Sequence, residues 1–262
     1  PGQLAPARSR RFKGLSASTG FRTKLWSGGA FLINYYHTNR PPALDELYYF
    51  GPHTGNLAFE IGNPQLDAER GNGFDISLRH DLSRARMTVN YYFYDFSNFI
   101  FPFATGAEID GLQEIEFTQL HTRFTGGEVT FDVGLHSNLW LNLATDYVNA
   151  KEKANNTMLP RIPPLRGKVG LDFHAKNLSI RPELVVANQQ HLTFTNETRT
   201  PGYAVCNLKA TYSIPRSRFA HQFSGNFFNI GNRLYRNHSS FIKDLAPEIG
   251  RGVRFGYTLR FF

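Results

Sequence analysis

Apolar and polar residues alternate along most of the chain, the period-2 signal of a half-buried strand. In RGKVGLDFH, Val169, Leu171 and Phe173 share one face, while Lys168, Gly170 and Asp172 share the other. In GFDISLRH, Phe74, Ile76 and Leu78 oppose Asp75, Ser77 and Arg79. In GEVTFDVGL, Val129, Phe131, Val133 and Leu135 oppose Glu128, Thr130 and Asp132. The last run, VRFGYTLRF, sets Val253, Phe255, Tyr257, Leu259 and Phe261 against Arg254, Thr258 and Arg260. Read this way, the chain holds about eleven strands. They fall near 12–25, 29–38, 70–81, 85–100, 114–134, 138–150, 165–175, 178–190, 203–214, 219–230 and 251–262. Several span about 10–14 residues, against about five or six for a strand in a soluble domain. A tilted strand crossing a bilayer needs about 9–11.

The connections alternate in length. Short ones lie at 26–29, 81–84, 136–138, 175–177 and 215–218. Long ones lie near 39–69, 101–113, 151–164, 191–202 and 231–250. In an antiparallel meander every second connection lies at the same edge, so the short turns share one edge and the long loops the other. Outer-membrane barrels sort their turns and loops in this way. The polar faces carry Asp75, Arg79, Glu128, Asp132, Asp146, Lys168, Asp172, Arg181 and Glu183, mixed in sign and spread over many strands. Each would be costly in lipid, so a membrane barrel would turn them to its lumen. Alternation alone leaves open which face is wet, and strand length and loop sorting favour the barrel. The expected fold is all-β: an antiparallel transmembrane β-barrel meander.

Composition narrows the reading. Phe and Tyr number 24 and 12, against two Trp, a bias that suits strands. The aromatics gather at 34–37, 47–50, 91–103 and the C-terminus, as interfacial girdles or as ordinary sheet stacking. No apolar run approaches the length of a membrane helix, and the mean hydropathy is −0.37. The single cysteine, Cys206, excludes an intrachain disulfide and a zinc site of several thiolates, and it falls in phase with apolar neighbours. The formal charge of +8 comes from scattered Lys and Arg, with one short run at Ala7–Lys13, so no nucleic-acid partner is expected. No signal peptide is visible at the start of the sequence.

Several segments resemble one family. NRPPALDELYYFGPHTGNLAFEIGNPQLDAERGNGFDISLRH resembles a barrel stretch of TonB-dependent outer-membrane receptors. Arg40, Pro42, Glu46 and Leu47 match its Arg–x–Pro step and Glu–Leu pair. Asn63, Pro64, Leu66 and Glu69 match the Asn–Pro–x–Leu–x–x–Glu segment that opens the next strand. LPRIPPLRGKVGLDF, PGYAVCNLKATY, FFNIGNRLY and GRGVRFGYTLRFF are similar to later family segments, although Phe262 stands one residue out of phase with the last apolar face. The resemblance implies a barrel of about 22 strands around an N-terminal plug. This chain, residues 1–262, matches its C-terminal half-barrel, with no plug and no energy-coupling box. The implied activity is receptor-mediated uptake of a scarce ligand: a siderophore, metal chelate, vitamin or glycan. The implied partners are outer-membrane lipid, the rest of the barrel, the plug, and the TonB complex acting through that plug. The implied place is the outer membrane of a Gram-negative bacterium.

The stretch Gly51–Glu69 breaks the alternation with glycines and prolines that end one strand and open another. His53 and Glu60 can bind a borderline metal such as zinc or copper. His191 and His238 lie in other long loops and could converge with them. Two ligands fall short of the roughly four of a structural zinc site, so the alternative is solvated loop side chains. No resident cofactor is expected, only a transported metal or chelate. No nucleophile elbow or phosphate loop is present, so no enzyme is expected. The Asn–x–Ser/Thr matches at Asn155, Asn196 and Asn237 are read as chance. A passive channel or barrel enzyme is the alternative, and a soluble β-rich binding protein a third reading.

Overall fold

The computed structural model describes residues 9–262, so Ala7 and Arg8 of the basic run lie outside the described residues. Eleven strands form one antiparallel path in sequence order. They are β1 (Ala17–Trp26), β2 (Gly29–Arg40), β5 (Glu69–Leu82), β6 (Ala85–Ile109), β7 (Leu112–His136), β8 (Leu139–Glu152), β9 (Arg166–Ala175), β10 (Leu178–Ala187), β11 (Tyr203–Pro215), β12 (Phe219–Phe228) and β13 (Gly252–Phe261). Between β2 and β5 lie a short helix α1 (Leu44–Tyr48) and a hairpin of β3 (Phe50–His53) and β4 (Ala58–Ile61). β4 also pairs in parallel with β7. β1 and β13 stand at the two ends of the path.

Two expectations are corrected. β1 starts at Ala17, later than the alternation suggested. The stretch 101–113 is no loop: β6 and β7 continue through it for 25 residues each. They meet at Asp110 (φ 53°) and Gly111 (φ 76°), a pair with the two positive φ values of a type I′ turn. Strands this long exceed the need of a bilayer, so the hairpin projects beyond the sheet on the long-loop side.

Register fixes the faces, because residues directly opposite in an antiparallel pair point the same way. One chain of partners runs Asp132–Asn142–Gly170–Glu183–Asn207 across β7 to β11. The neighbouring positions, Phe131, Leu143, Val169 and Leu184, form the opposite face. The apolar face is not covered by a second layer: Phe255 keeps 76% of its surface exposed, and Ile33, Val129, Leu171 and Val253 are exposed too. Among the described residues, buried hydrophobic clusters occur only near the long-loop edge. One holds Leu47, Leu66 and Ile100, with Phe12 and Phe117 packed on it. The other holds Phe101, Ala150 and Leu159, with Phe99, Phe124 and Phe194 among its neighbours. A wide apolar sheet face left bare over so many strands matches a lipid solvent, not water.

A β-bulge redirects the aromatic run at 91–103. Ser97 and Asn98 occupy the register gap between Phe96, opposite Thr122, and Phe99, opposite Leu120. Asn98 takes φ 58°. The extra residue shifts the parity, so Phe99 and Phe101 turn to the polar-face side. There Phe99 packs edge-on to Phe124 at 4.9 Å, and Phe101 on Phe194 at 5.5 Å. Only the first part of this run, with Tyr91 and Phe93, stays on the apolar face as a girdle would.

Candidate functional site: the charged face and the long-loop rim

All nine charged positions singled out from the alternation share one face. Asp75 and Arg79 lie on β5, Glu128 and Asp132 on β7, and Asp146 on β8. Lys168 and Asp172 follow on β9, and Arg181 and Glu183 on β10. Most have local partners. Tyr94 donates to Asp75 at 2.6 Å, and Asn142 to Asp132 at 2.7 Å. Arg166 grips Asp146 through Nε and Nη2 at 3.0 and 2.8 Å. Asp172 holds Arg181 and lies 2.9 Å from His174. Lys168 faces Glu183 at 3.6 Å. A cleft of about 330 Å³ opens on this face between Asp132, Asn142, Lys168, Arg181 and Glu183. Paired charges in a water-filled lumen keep the wall polar while leaving donors and acceptors for a polar partner.

The motif residues form a clamp on the first long loop. Arg40 ends β2, Glu69 starts β5, and the two are directly opposite. Arg40 donates to both oxygens of Glu46 at 3.0 and 2.9 Å and to Glu69 at 3.2 Å. Glu46 also accepts the N–H of Ala43 at 2.8 Å, capping α1 behind Pro42. Glu69 accepts the N–H of Ile100 at 3.0 Å, which ties the clamp to β6. Asn63 receives the N–H of Gln65 at 2.9 Å, the turn that Pro64 then stiffens, and donates to Phe117 O at 3.3 Å. Arg10 reaches the carbonyls of Pro64 and Leu66. The loop is thereby docked over Leu66, which is fully buried. The signature residues hold the backbone; they do not present ligand groups.

A second assembly joins the later loops. Glu197 accepts N–H groups from Arg161 at 2.7 Å and Phe194 at 3.1 Å, and Lys243 donates to it at 3.0 Å. His238, 2% exposed, stands beside them. Its Nδ1 faces Thr200 Oγ1 at 3.0 Å and Lys243 Nζ at 3.3 Å. Its Nε2 is 3.2 Å from Glu197, at an angle too poor for a hydrogen bond, so that contact is electrostatic. Burial alone would raise the Glu197 carboxyl. Contact with His238, the Arg161 N–H, the Lys243 charge and the Phe194 N–H overcome it and hold the group at about 2. Arg161 is pushed below its ordinary value by burial, against the charges of Glu197 and Glu60. It also donates to Pro102 O at 3.2 Å and lies 4.0 Å over the Phe241 ring. Loops 153–165, 188–202 and 229–251 and the β6–β7 hairpin are thus locked together.

The four histidine and carboxylate candidates are divided between these parts. His53 and Glu60 share the β3–β4 hairpin with Nδ1 3.9 Å from Oε1, and Asn56 bridges them by bonding both. His238 belongs to the Glu197–Lys243 lock, and His191 is exposed in loop 188–202. Among the described residues no group of three or more His, Cys, Asp or Glu is placed to hold a metal. Glu197 and Lys243 went unnoticed in the sequence. Loop polar residues carry no periodicity, and Glu197 and Lys243 share their loops with Arg199, Arg233, Arg236, Asp244 and Glu248, so charge alone does not single them out.

A single-layer antiparallel meander with a bare apolar face, a charged opposite face and loops sorted to one edge defines the wall of an outer-membrane barrel. The chain belongs to the TonB dependent receptor-like, beta-barrel family, whose model matches residues 3–230. That family is one of outer-membrane receptors and transporters, not of enzymes. Among solved structures it is similar to the copper transporter OprC, at 19% identity and a TM-score of 0.79 over 94% of this chain and 40% of that one. It is similar to the siderophore receptor PirA from Pseudomonas aeruginosa, at 16% identity and 0.65 over 94% and 42%. The ferric-catecholate import receptor Fiu from K12 E. coli gives 17% and 0.62 over 94% and 34%. These likenesses show the shared fold. The chain spans about 40% of the length of the first two.

Proposed function

We propose that this chain is part of the wall of an energy-coupled outer-membrane receptor that takes up a siderophore or metal chelate. The observation that carries the reading is the register. Nine charged residues on five strands face one way, and the apolar rows face the other. In the complete receptor the charged face lines the lumen and contacts a plug, which the TonB complex moves. β1 and β13 join the rest of the barrel, since unpaired strand edges cannot stand in hydrocarbon. The names of the copper, siderophore and ferric-catecholate neighbours support a metal-bearing cargo. His53 and Glu60, on the long-loop edge, are the nearest thing to a ligand pair for it. His191 is exposed on the same edge and could join them.

The test is uptake. Deleting the gene should lower accumulation of radiolabelled iron or copper chelates under metal limitation, and restoring it should recover them. A protonophore should abolish that uptake. Uptake that survives the protonophore would favour a passive channel, and no change on deletion for any chelate would sink the cargo assignment.

A further inference from the structure

On the apolar face, register sets whole rows side by side, each running across the strands. Ala85 and Val133 stand opposite each other in the lowest row, beside Leu82 and Leu141, and Met87 and Phe131 stand in the row above it, beside His80 and Leu143. Phe31, Leu78, Val89 and Val129 follow, then Ile33, Ile76, Tyr91 and Tyr147, then Tyr35, Phe74, Phe93 and Thr125. From the lowest row to that of Tyr35 is four pleat repeats, about 27 Å along the strand, which a tilt of about 40° turns into about 20 Å of height. An outer-membrane barrel carries an apolar band about 25 Å tall. The next row toward the long loops changes character at once: Asn72, Asp95, Arg123 and Lys151 are directly opposite one another in turn. Arg70 and Lys153 stand one row higher on the same face, Lys153 bonded through its N–H to His121 O.

We infer that this row is a binding site for the phosphorylated headgroup of an outer-leaflet glycolipid, whose acyl chains lie on the apolar rows beneath. The inference rests on the membrane-spanning reading of the wall, but not on transport. Arg123, Lys151 and Lys153 border a cleft of about 340 Å³, together with Thr125, Asn149 and Asn156. Asp95 is the one carboxylate in these two rows, and it serves two cations: Arg123 at 3.2 Å and Lys153 at 2.9 Å. Lys151 makes no ion pair among the described residues, so the cluster keeps an excess of positive charge. Glu152 also borders the cleft, but it pairs with Thr122 on the other face and accepts from Asn155. The Arg123 guanidinium carbon lies over the Phe93 ring, 5.2 Å from its centroid, so the cation sits at the top of the aromatic row. A side chain so placed meets phosphate where hydrocarbon gives way to headgroup. Arg offers a planar fork and Lys a mobile point charge, the two common ways of holding phosphate.

The test uses the protein extracted from its membrane in mild detergent and reconstituted in phosphatidylcholine nanodiscs. Binding of bis-phosphorylated lipid A is compared with its dephosphorylated form and with phosphatidylglycerol by native mass spectrometry. Phosphorylated lipid A should be retained, and the dephosphorylated form lost. The triple variant Arg123→Gln, Lys151→Gln, Lys153→Gln should weaken retention by roughly a hundredfold. Raising the salt should weaken it for the unaltered protein, a readout that needs no variant. Insertion into nanodiscs with equal retention of both lipid A forms overturns the site alone. Preference for phosphatidylglycerol over lipid A overturns the glycolipid as occupant. Failure to insert overturns the membrane reading, and the site with it.

Discussion

Glu197 and Arg40 show at the scale of single residues what the loops depend on. Glu197 is a carboxylate taken out of water, and two N–H groups, a lysine and a histidine make that tolerable. Removing its charge leaves Lys243 buried without a counter-ion, which costs about 3 kcal/mol or more of local stability. Glu197→Gln should therefore free loops 188–202 and 229–251, seen as a gain in mobility of a spin label at Thr195. The pH dependence follows from the lowered carboxyl. The unfolded carboxyl titrates near 4.5 and the folded one at about 2. A depressed group stabilises the folded rim fully above the unfolded value and loses that contribution as pH falls toward the folded one. The same label should stay immobile from neutrality to pH 4.5 and loosen between 4.5 and 2. Loosening already at pH 6 would overturn Glu197 as the group that holds the rim. Arg40 acts by geometry: its fork serves Glu46 and Glu69 together. Arg40→Met should undock loop 41–68 at a cost of about 2 kcal/mol, and Arg40→Lys should recover only part of it, since an ammonium cannot serve both carboxylates with the same fork. Proteolysis within 51–57 would measure the difference.

At the scale of elements, the strands were legible and the irregularities were not. Period-2 alternation survives wherever one face meets lipid and the other water, as in β9 and β13, and there the sequence reading and the structure agree. It fails at β6 and β7 beyond the bilayer. FPFATGAEIDGLQ has no two distinct solvents to sort its faces, so it reads as loop, and Asp110–Gly111 was the one local sign of a hairpin. The Ser97–Asn98 bulge is equally silent in the sequence, yet it decides where an aromatic run points. Inserting one residue between His121 and Thr122, opposite the bulge, should restore the uninterrupted register and throw Phe99 and Phe101 onto the outer face. The buried cluster around Leu159 would lose its largest members, and the loop edge should unfold at lower denaturant while the short-turn half of the sheet keeps its hydrogen-exchange protection. The motif residues were read as a family mark, and their work became visible only with the clamp. Glu46 and Glu69 are 23 positions apart, and nothing in the spacing says that one arginine joins them.

The orientation of the whole wall rests on which face meets lipid, and Cys206 reports on it without any engineering. It is the chain's single cysteine, and it pairs with Leu184 in the apolar rows of β10 and β11. Its neighbour Asn207 pairs with Glu183 on the charged face. The thiol is exposed on the bare protein, so nothing in the fold itself protects it. In a bilayer, hydrocarbon covers it: a charged maleimide added to intact membranes should leave Cys206 unmodified, while a membrane-soluble maleimide should label it. Moving the thiol by one residue, Cys206→Ala with Asn207→Cys, should reverse the preference, since a one-residue step crosses the sheet. Extraction into dilute detergent should also open Cys206 to the charged reagent as the lipid cover becomes labile. Equal labelling of both positions by the charged reagent in intact membranes would mean that water wets both faces. The sheet would then be no membrane wall, and the lumen assigned to Asp75 through Glu183 would be lost with it.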